Sequence, residues 1–248
     1  MTKREVIGRY RGSMLGILWS FFNPIFMLVL YTFVFSVVFK ARWPDGTGDR
    51  VEFANLIFSG MILHSLFAEC ISRAPGLILS NVNYVKKVVF PLQILPVVAL
   101  NASLFHAIIS FGVLLLFYLV TQGYLNWTVL FLPVVILPYL LVILGISWFL
   151  ASIGVYLRDV SQTTSILISV SMFLSPVFYP VTAVPEPFRL FIHLNPLTFI
   201  IEQTREVVIW NRAPDWGGLA IYTLAGALIA WAGHYWFQKA RKGFADVL

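Results

Sequence analysis

The side chains that could do chemistry are few and lie far apart along the chain. His64, His106 and His234 each fall inside a long apolar stretch, where a pair of histidines could ligate a haem iron. A single histidine in an apolar helix is more commonly a packed or hydrogen-bonded residue. We favour that second interpretation.

The sequence contains none of the common catalytic motifs. A G-x-x-x-x-G-K-[ST] loop is absent, so this chain does not itself cradle the phosphates of ATP. Glu69 lies near the end of its apolar stretch and can reach the interface, so no carboxylate is stranded at the bilayer centre. The single cysteine, Cys70, excludes an internal disulfide, an iron–sulfur cluster or a structural zinc site. We therefore predict no enzyme activity, no metal and no cofactor in this chain.

The composition indicates a membrane protein. Hydrophobic residues make up 59% of the 248 residues and charged residues 11%, against about 25% charged in soluble proteins. Uncharged windows predict an all-α membrane protein with six transmembrane helices in one domain, 1–248. These spans lie at about 15–39, 53–73, 92–121, 128–157, 160–179 and 216–238. The first is too long for a signal peptide.

The basic residues predict the orientation in the membrane. The net charge of +6 would suggest nucleic acid in a soluble protein, but here most of the lysines and arginines flank the same ends of the predicted spans. They are Lys3, Arg4, Arg9, Arg11, Arg73, Lys86, Lys87, Arg158, Lys239, Arg241 and Lys242. Because loops rich in lysine and arginine stay in the cytoplasm, we predict that both termini are cytoplasmic. The orientation in the membrane explains the positive charge, so we predict that nucleic acid is not a partner.

A short basic segment precedes the first predicted span. On a helical wheel its apolar side chains separate from its charged ones: Val6, Ile7 and Tyr10 against Arg4, Glu5, Arg9 and Arg11. Glu5 and Arg9 have the spacing of an ion pair. This turn can lie along the membrane interface with its basic side toward anionic headgroups, or it can be only a topology anchor.

The connection between the second and third spans is bracketed by helix breakers. Ala74-Pro75-Gly76 precedes it and Pro91 follows it, which leaves room for about three helical turns carrying Lys86 and Lys87. A short helix there could dock into a soluble partner or rest on lipid.

The segment between the fifth and sixth spans is too apolar for a free loop and too rich in proline for a span. Asn195-Pro196 predicts a helix start, with Asn as the cap and Pro in the first turn. Two half-helices, at 187–194 and 197–210, would dip into the outer leaflet and suggest an exit gate. A flat interfacial hairpin is the alternative.

Two polar patterns mark the helices around this segment. After Pro196, one polar stripe is predicted at i, i+3 and i+4, formed by Glu202, Arg205 and Glu206. The fifth span has small residues at every fourth position: Ser161, Ser165 and Ser169, then Ser171 and Ser175. This spacing favours a contact between helices, and lining a permeation path is the alternative.

Four separated stretches resemble a known family. They are RYRGSMLGILWSFFNPI, YLRDVSQ, FLSPVFYPVTAVP and LNPLTFIIEQTREVV, in the order in which that family has them. Nearly end to end, the chain is similar to the membrane subunits of ATP-binding-cassette exporters for O-antigen, capsular polysaccharide or teichoic acid.

The resemblance implies roles for the two ends of a path. The N-terminal helix would lie on the cytoplasmic surface, and the Leu15-Gly16 turn would join it to the first span near the substrate entrance. Arg4, Arg9 and Arg11 there would suit a lipid-diphosphate or phospholipid anchor. The outer gate would comprise Asn195, Pro196, Glu202, Arg205 and Glu206.

The resemblance also implies an assembly. Two permease copies would join two ATPase subunits that hold ATP and Mg. The segment 77–90 would be the coupling helix that seats in the ATPase, through Asn83, Tyr84, Val85, Lys86 and Lys87. Aromatic side chains would stack against sugar rings in the channel, and the candidates are Trp19, Phe22, Tyr31, Tyr156 and Tyr179.

The implied function is export of a lipid-linked cell-surface polysaccharide across a bacterial inner membrane. An exporter of drugs or small lipids with the same architecture is a second interpretation. A redox or assembly subunit of a membrane complex is a third. Neighbouring genes for glycan synthesis would favour the first, and a visible haem spectrum would favour the third.

Overall fold

The computed structural model describes residues 1–9, 12–38, 43, 50–86 and 90–248. Within these ranges the chain forms helices joined by turns, with no β-strand, which confirms the predicted all-α class for the described part. Helices suit a lipid environment because each one satisfies its own backbone hydrogen bonds.

The described helices follow the apolar runs of the sequence. They are α1 (Thr2–Arg9), α2 (Trp19–Tyr31), α3 (Arg50–Arg73), α4 (Val82–Lys86), α5 (Ile94–Gln122), α6 (Leu132–Tyr156), α7 (Val160–Phe173), α8 (Glu186–Leu194), α9 (Pro196–Val208), α10 (Trp216–Ala240) and α11 (Phe244–Val247). A 3₁₀ turn, Gly16–Leu18, leads into α2, and a π-helix, Thr32–Val38, continues it.

Five helical segments in the described ranges are long and apolar enough to cross a membrane. They are Gly16–Phe35, Val51–Gly76, Ile94–Gln122, Trp127–Tyr156 and Trp216–Gly243. The predicted fifth span is shorter than expected, because α7 has only 14 residues and turns follow it. At 1.5 Å per residue α7 extends about 21 Å, less than a hydrocarbon core of about 30 Å.

Helix α3 is the centre of the bundle. It contacts α5, α6, α7 and α9, and its Leu56, Ile57 and Leu63 are completely buried. By contrast α2, α7 and α10 expose many large apolar side chains, among them Phe26 and Trp231. Such a rim is stable only against lipid or another protein chain.

The most extensive helix pairing is between α6 and α10, and glycine makes it possible. A Cβ added to Gly233 would lie 2.1 Å from the carbonyl oxygen of Gly145. A Cβ on Gly145 would lie 2.5 Å from the carbonyl oxygen of Ile229. The two backbones therefore touch directly, as small residues allow in membrane helices.

A smaller hydrophobic cluster, called here the terminal cluster, joins four helix ends. Its buried members are Ile78, Leu92, Leu95, Ala151, Val155, Phe237 and Phe244. Tyr84 and Phe90 pack on it. The connection after α3 is thereby attached to the start of α5 and the ends of α6 and α10.

Candidate functional site

A groove of about 520 Å³ runs between α2, α3 and α5. Trp19, Asn23 and Tyr31 line it from α2, Glu69 from α3 and His106 from α5. Aromatic and hydrogen-bonding side chains thus share one surface within three apolar helices. Polar groups at such positions are costly in lipid, and they mark a path or a binding surface.

Helix α2 is irregular along this groove. Pro24 lies inside it and lacks the N–H that a helix interior uses. At Thr32 the α-helix changes to a π-helix, and the Thr32 hydroxyl donates to the Leu28 carbonyl at 2.7 Å. π-segments occur frequently at functional sites, and Tyr31 lies next to this one.

Two of the five predicted channel aromatics, Trp19 and Tyr31, line the groove, and the other three do not. Phe22 is half exposed elsewhere on α2. The Tyr179 hydroxyl donates to the carbonyl of Phe173 at the end of α7. Tyr156 lies beside the terminal cluster and donates to the carbonyl of Ala240 at 2.8 Å.

Sequence reasoning missed the polar side of α5 in this groove. Ser103, His106 and Ser110 all line it and are spaced at i, i+3 and i+7. Ser65 and Glu69 of α3 face them at i and i+4. Polar residues that repeat at helical spacing within apolar spans are the sequence signal that could have identified this surface.

Helix α1 packs on the protein at the start of the candidate path. It contacts α5, and Val6 is buried whereas Ile7 is exposed. Glu5 forms an ion pair with Arg73 at the end of α3, and the expected Glu5–Arg9 pair stays a prediction. The side chain of Arg9 lies outside the described residues.

A cavity of about 1060 Å³ lies between α1 and the connection after α3. Lys3, Arg4 and Arg73 give it a basic side, and Leu77 and Tyr84 contribute apolar surface. Such a combination suits an anionic headgroup with an acyl chain.

The predicted Leu15-Gly16 turn has a clear backbone reason. Leu15 is exposed, and Gly16 has φ +51°, in the left-handed region that side chains disfavour. The chain changes direction there before α2. Arg11 lies outside the described residues.

The predicted coupling segment is broken into shorter pieces. A 3₁₀ turn, Leu79–Asn81, precedes the five-residue α4, in place of three continuous turns. Asn83 is exposed, and Tyr84 stacks on Phe90 with ring centroids 4.7 Å apart. Lys87 and the side chains of Val85 and Lys86 lie outside the described residues.

In the helix pair α8–α9, helix α9 begins at the predicted position. The Asn195 side chain accepts a hydrogen bond from the Leu197 N–H at 3.0 Å, and Pro196 is the first helical residue. Asn195 also donates from Nδ2 to the carbonyl of Ser171 at 3.2 Å. The start of α9 is therefore fixed against the end of α7.

Arg205 of α9 is buried in the bundle. Its Nη1 donates to Pro176 O at 2.7 Å, and its Nη2 donates to Leu56 O and Val177 O at 2.9 Å each. The guanidinium carbon also lies 4.7 Å from the centroid of the Trp43 ring. Burial lowers the pKa of Arg205 to about 9, which leaves it protonated at neutral pH.

The three residues of the predicted polar stripe on α9 differ in burial. Glu202 and Glu206 are half-buried, but Arg205 is only 3% exposed and points toward α3. The i, i+3, i+4 spacing placed all three on one side of the helix and could not show that a neighbouring helix covers the middle one.

The three histidines of the apolar stretches all have contacts within the bundle. His64 lies 3.3 Å from the carbonyl of Ile168, which joins α3 to α7. The His234 ring packs edge-on against Trp148, with centroids 4.8 Å apart. His106 lines the groove and packs edge-on against Phe105, with ring centroids 5.7 Å apart.

The serines at the start of α7 bond to their own helix. Ser165 donates to the carbonyl of Ser161 and Ser169 to that of Ser165, at 3.1 Å each. All three are exposed in the single chain. Their side of α7 is therefore open to a second chain or to a path.

Comparison with known proteins gives consistent similarities. The model of the ABC-2 type transporter family matches residues 1–209. The O-antigen export system permease protein RfbA of Myxococcus xanthus is 28% identical over 248 residues, 99% of this chain and 93% of that protein. RfbA of Klebsiella pneumoniae is 25% identical over 250 residues, 100% and 93% of the two chains. The polysialic acid transport protein KpsM of Escherichia coli is 25% identical over 237 residues, 92% and 88%.

Proposed function

Because the chain belongs to the ABC-2 type transporter family, we propose that it is the permease subunit of an ATP-driven exporter of a lipid-linked cell-surface polysaccharide. The family match over residues 1–209 is the observation that carries this proposal. The relatives' names support the substrate class, since they refer to export of O-antigen or transport of polysialic acid. The membrane would be the bacterial inner membrane.

The groove between α2, α3 and α5 would form part of the translocation path. Trp19 and Tyr31 can stack on the C–H faces of sugar rings, while Asn23 and the serines of α5 can bond to hydroxyl groups. Three further predicted aromatics, Phe22, Tyr156 and Tyr179, lie outside this groove. They would line the path only if a second chain completes it or if the protein adopts another conformation.

The assembly would contain two permeases and two ATPase subunits. The exposed serine side of α7 and the exposed apolar surface of α2 support a second copy. ATP and Mg would be bound in the ATPases, so this chain would contribute translocation rather than hydrolysis.

We propose that both termini are cytoplasmic and that the chain crosses the membrane six times. Helix α7 together with the turns up to Tyr179 would be the fifth span, shortened because the chain re-enters the bundle through α8 and α9. The basic residues at the N-terminus, in the connection after α3 and at the C-terminus support this orientation.

The segment 77–86 would transmit the motion of the ATPase. Ile78 is fully buried in the terminal cluster, so a push on this segment would reach the ends of α5, α6 and α10 together. Asn83, Tyr84, Val85, Lys86 and Lys87 would meet the ATPase. At the entrance, Arg4, Arg9, Arg11 and the Leu15-Gly16 turn would receive the substrate's lipid anchor.

The helices α8 and α9 would form the outer gate. Asn195 and Pro196 fix the start of α9, and Arg205 joins it to α3. A shift of α3 would therefore move α9 and with it the half-buried Glu202 and Glu206.

A mild-detergent purification from native membranes tests the proposal. The tagged chain should bring along a nearly stoichiometric protein with a Walker motif, identified by mass spectrometry. Recovery of a haem band or respiratory subunits without an ATPase would contradict the proposal.

An exporter of small lipids is a second candidate, with which one observation is consistent. A groove of about 550 Å³ between α2 and α5 is almost entirely apolar, with Ile25, Val29, Leu116 and Val120 among its lining residues. It suits an acyl chain, which belongs equally to a free lipid or to the anchor of a glycan. Lipid-stimulated ATPase activity with no glycan bound would favour the small-lipid exporter.

A further inference from the structure

A polar cavity of about 510 Å³ lies where α9 meets the turn that follows α7. Glu202 and Glu206 of α9 line it, and so does Thr182 of the turn. Trp210 and Arg212, just after α9, line the cavity as well. None of these residues lines the groove between α2, α3 and α5.

The frame of this cavity is fixed by the backbone. Asn211 has φ +52°, a left-handed conformation that turns the chain back over α9. The Arg212 N–H donates to the carbonyl of Glu206 at 2.9 Å. Farther along, the Asp215 N–H donates to Gln203 Oε1 at 2.7 Å. The walls are thus held in place without a ligand, as a binding site requires.

The polar groups in the cavity are poorly used by the protein itself. Within the described ranges Glu202 accepts no hydrogen bond, and burial raises the pKa of its carboxyl. Glu206 meets Arg212 only at 3.6 Å, and the Arg212 side chain is 71% exposed. Two carboxylates and a guanidinium are therefore available to a ligand.

We propose that this cavity binds a sugar unit of the exported glycan after it has passed the translocation path. Carboxylates and a guanidinium can bond to adjacent hydroxyl groups, and the indole of Trp210 can stack on the C–H face of the ring. The cavity volume lies within the usual range of small-molecule sites, about 300–1,000 Å³. The inference rests on the proposed function, because it names where the exported polymer is held.

The charges favour a sugar over an ion. The two carboxylates, Glu202 and Glu206, are balanced by Arg205 and Arg212, so the lining has no formal net charge. A phosphate would meet the two carboxylates, and a divalent cation would meet the exposed guanidinium of Arg212. A neutral ring with many hydroxyl groups satisfies both signs.

Site-specific photocrosslinking in glycan-producing cells tests this inference in the intact exporter. The photoreactive residue p-benzoylphenylalanine replaces Thr182 in the cavity, Met27 in the groove or Leu224 on the exposed side of α10. After irradiation, the purified chain is separated on a denaturing gel and stained for carbohydrate by periodate oxidation. We expect glycan adducts at Thr182 and Met27 and none at Leu224.

The outcomes separate this inference from the proposed function. Adducts at Met27 without any at Thr182 would overturn the cavity proposal and leave polysaccharide export standing. Absence of glycan adducts at both positions would contradict export itself. Adducts of equal yield at Leu224 would show that capture is nonspecific and would also overturn the cavity proposal.

A second pair of variants tests the role of the indole. Trp210→Ala should lower the Thr182 adduct about tenfold, the loss expected when about 1.4 kcal/mol of ring contact is removed. Trp210→Phe should retain most of it, since an aromatic face remains. The Met27 adduct in the same variant reports whether the chain is still folded and active. A Thr182 adduct unchanged in Trp210→Ala would overturn the proposal.

Discussion

At the scale of single residues, Arg205 of α9 forms hydrogen bonds that connect several segments of the bundle. One guanidinium serves carbonyl groups of α3 and of the turn at 176–177, which no lysine could reach together. Gly60 leaves the room it needs, since a Cβ there would lie 3.2 Å from Nη2. The three segments are therefore joined through one side chain.

We predict that Arg205→Met destabilises the protein by about 3 kcal/mol, because the buried carbonyl groups lose their donors. Arg212→Met is the matched control, since the Arg212 side chain is 71% exposed. It should cost less than about 1 kcal/mol. Thermal unfolding in detergent, followed by tryptophan fluorescence, measures both. Equal losses in the two variants would contradict the role assigned to Arg205.

Part of the residue-level site could be predicted from sequence. Asn195 was identified as a cap because the cap residue and the proline after it act locally. Trp19 and Tyr31 could not be distinguished from Phe22 and Tyr179, because an apolar helix with aromatics on all sides gives no period to follow. The orientation of each ring depends on which helices pack against it.

At the scale of helices, the contact between α6 and α10 depends on two facing glycines. We predict that Gly233→Ala destabilises the bundle by about 1–3 kcal/mol, because the new methyl group would meet backbone that cannot move aside. Detergent thermal unfolding measures this change.

Gly112 of α5 provides the control for that substitution. Among the residues that the structure describes, a Cβ there meets nothing within 4 Å, so Gly112→Ala should stabilise its helix by about 0.5–1 kcal/mol. Opposite signs for the two substitutions are expected. A neutral Gly233→Ala would show that α6 and α10 are not held at this separation.

The proposed coupling segment gives a third prediction. Replacing Lys86 and Lys87 together with glutamate should reduce the co-purified ATPase about tenfold, because charge reversal places repulsion at the docking surface. The double replacement of Lys239 and Lys242 with glutamate, at the same end of the helix bundle, is the control and should have little effect. Unchanged recovery of the ATPase in the first variant would refute the assignment.

The helix pattern shows where sequence reasoning succeeds and where it fails. The runs that became Ile94–Gln122 and Trp127–Tyr156 were predicted because apolar length alone determines a span. The end of α7 at Phe173 and the π-helix at Thr32–Val38 could not be predicted, since both depend on neighbouring segments. The chain turns after Ser175, and carbonyl groups of that turn accept hydrogen bonds from Arg205 of α9.

At the scale of the whole molecule, the three described sites form a sequence from one end to the other. The basic cavity beside α1, the groove beside α2 and the polar cavity beside α9 would serve the entrance, the path and the exit. The terminal cluster and Arg205 connect the helices between them. A single chain leaves α2, α7 and α10 broadly exposed, which is consistent with a permease that works as a pair.

The most direct test of polysaccharide export is to delete the gene for this chain in its host and to measure where the glycan accumulates. Carbohydrate is measured on intact cells and in the cytoplasmic membrane fraction, with and without the restored gene. The proposed function predicts that surface polysaccharide is lost, that lipid-linked glycan accumulates inside, and that the restored chain reverses both. Unchanged surface polysaccharide without internal accumulation would contradict it.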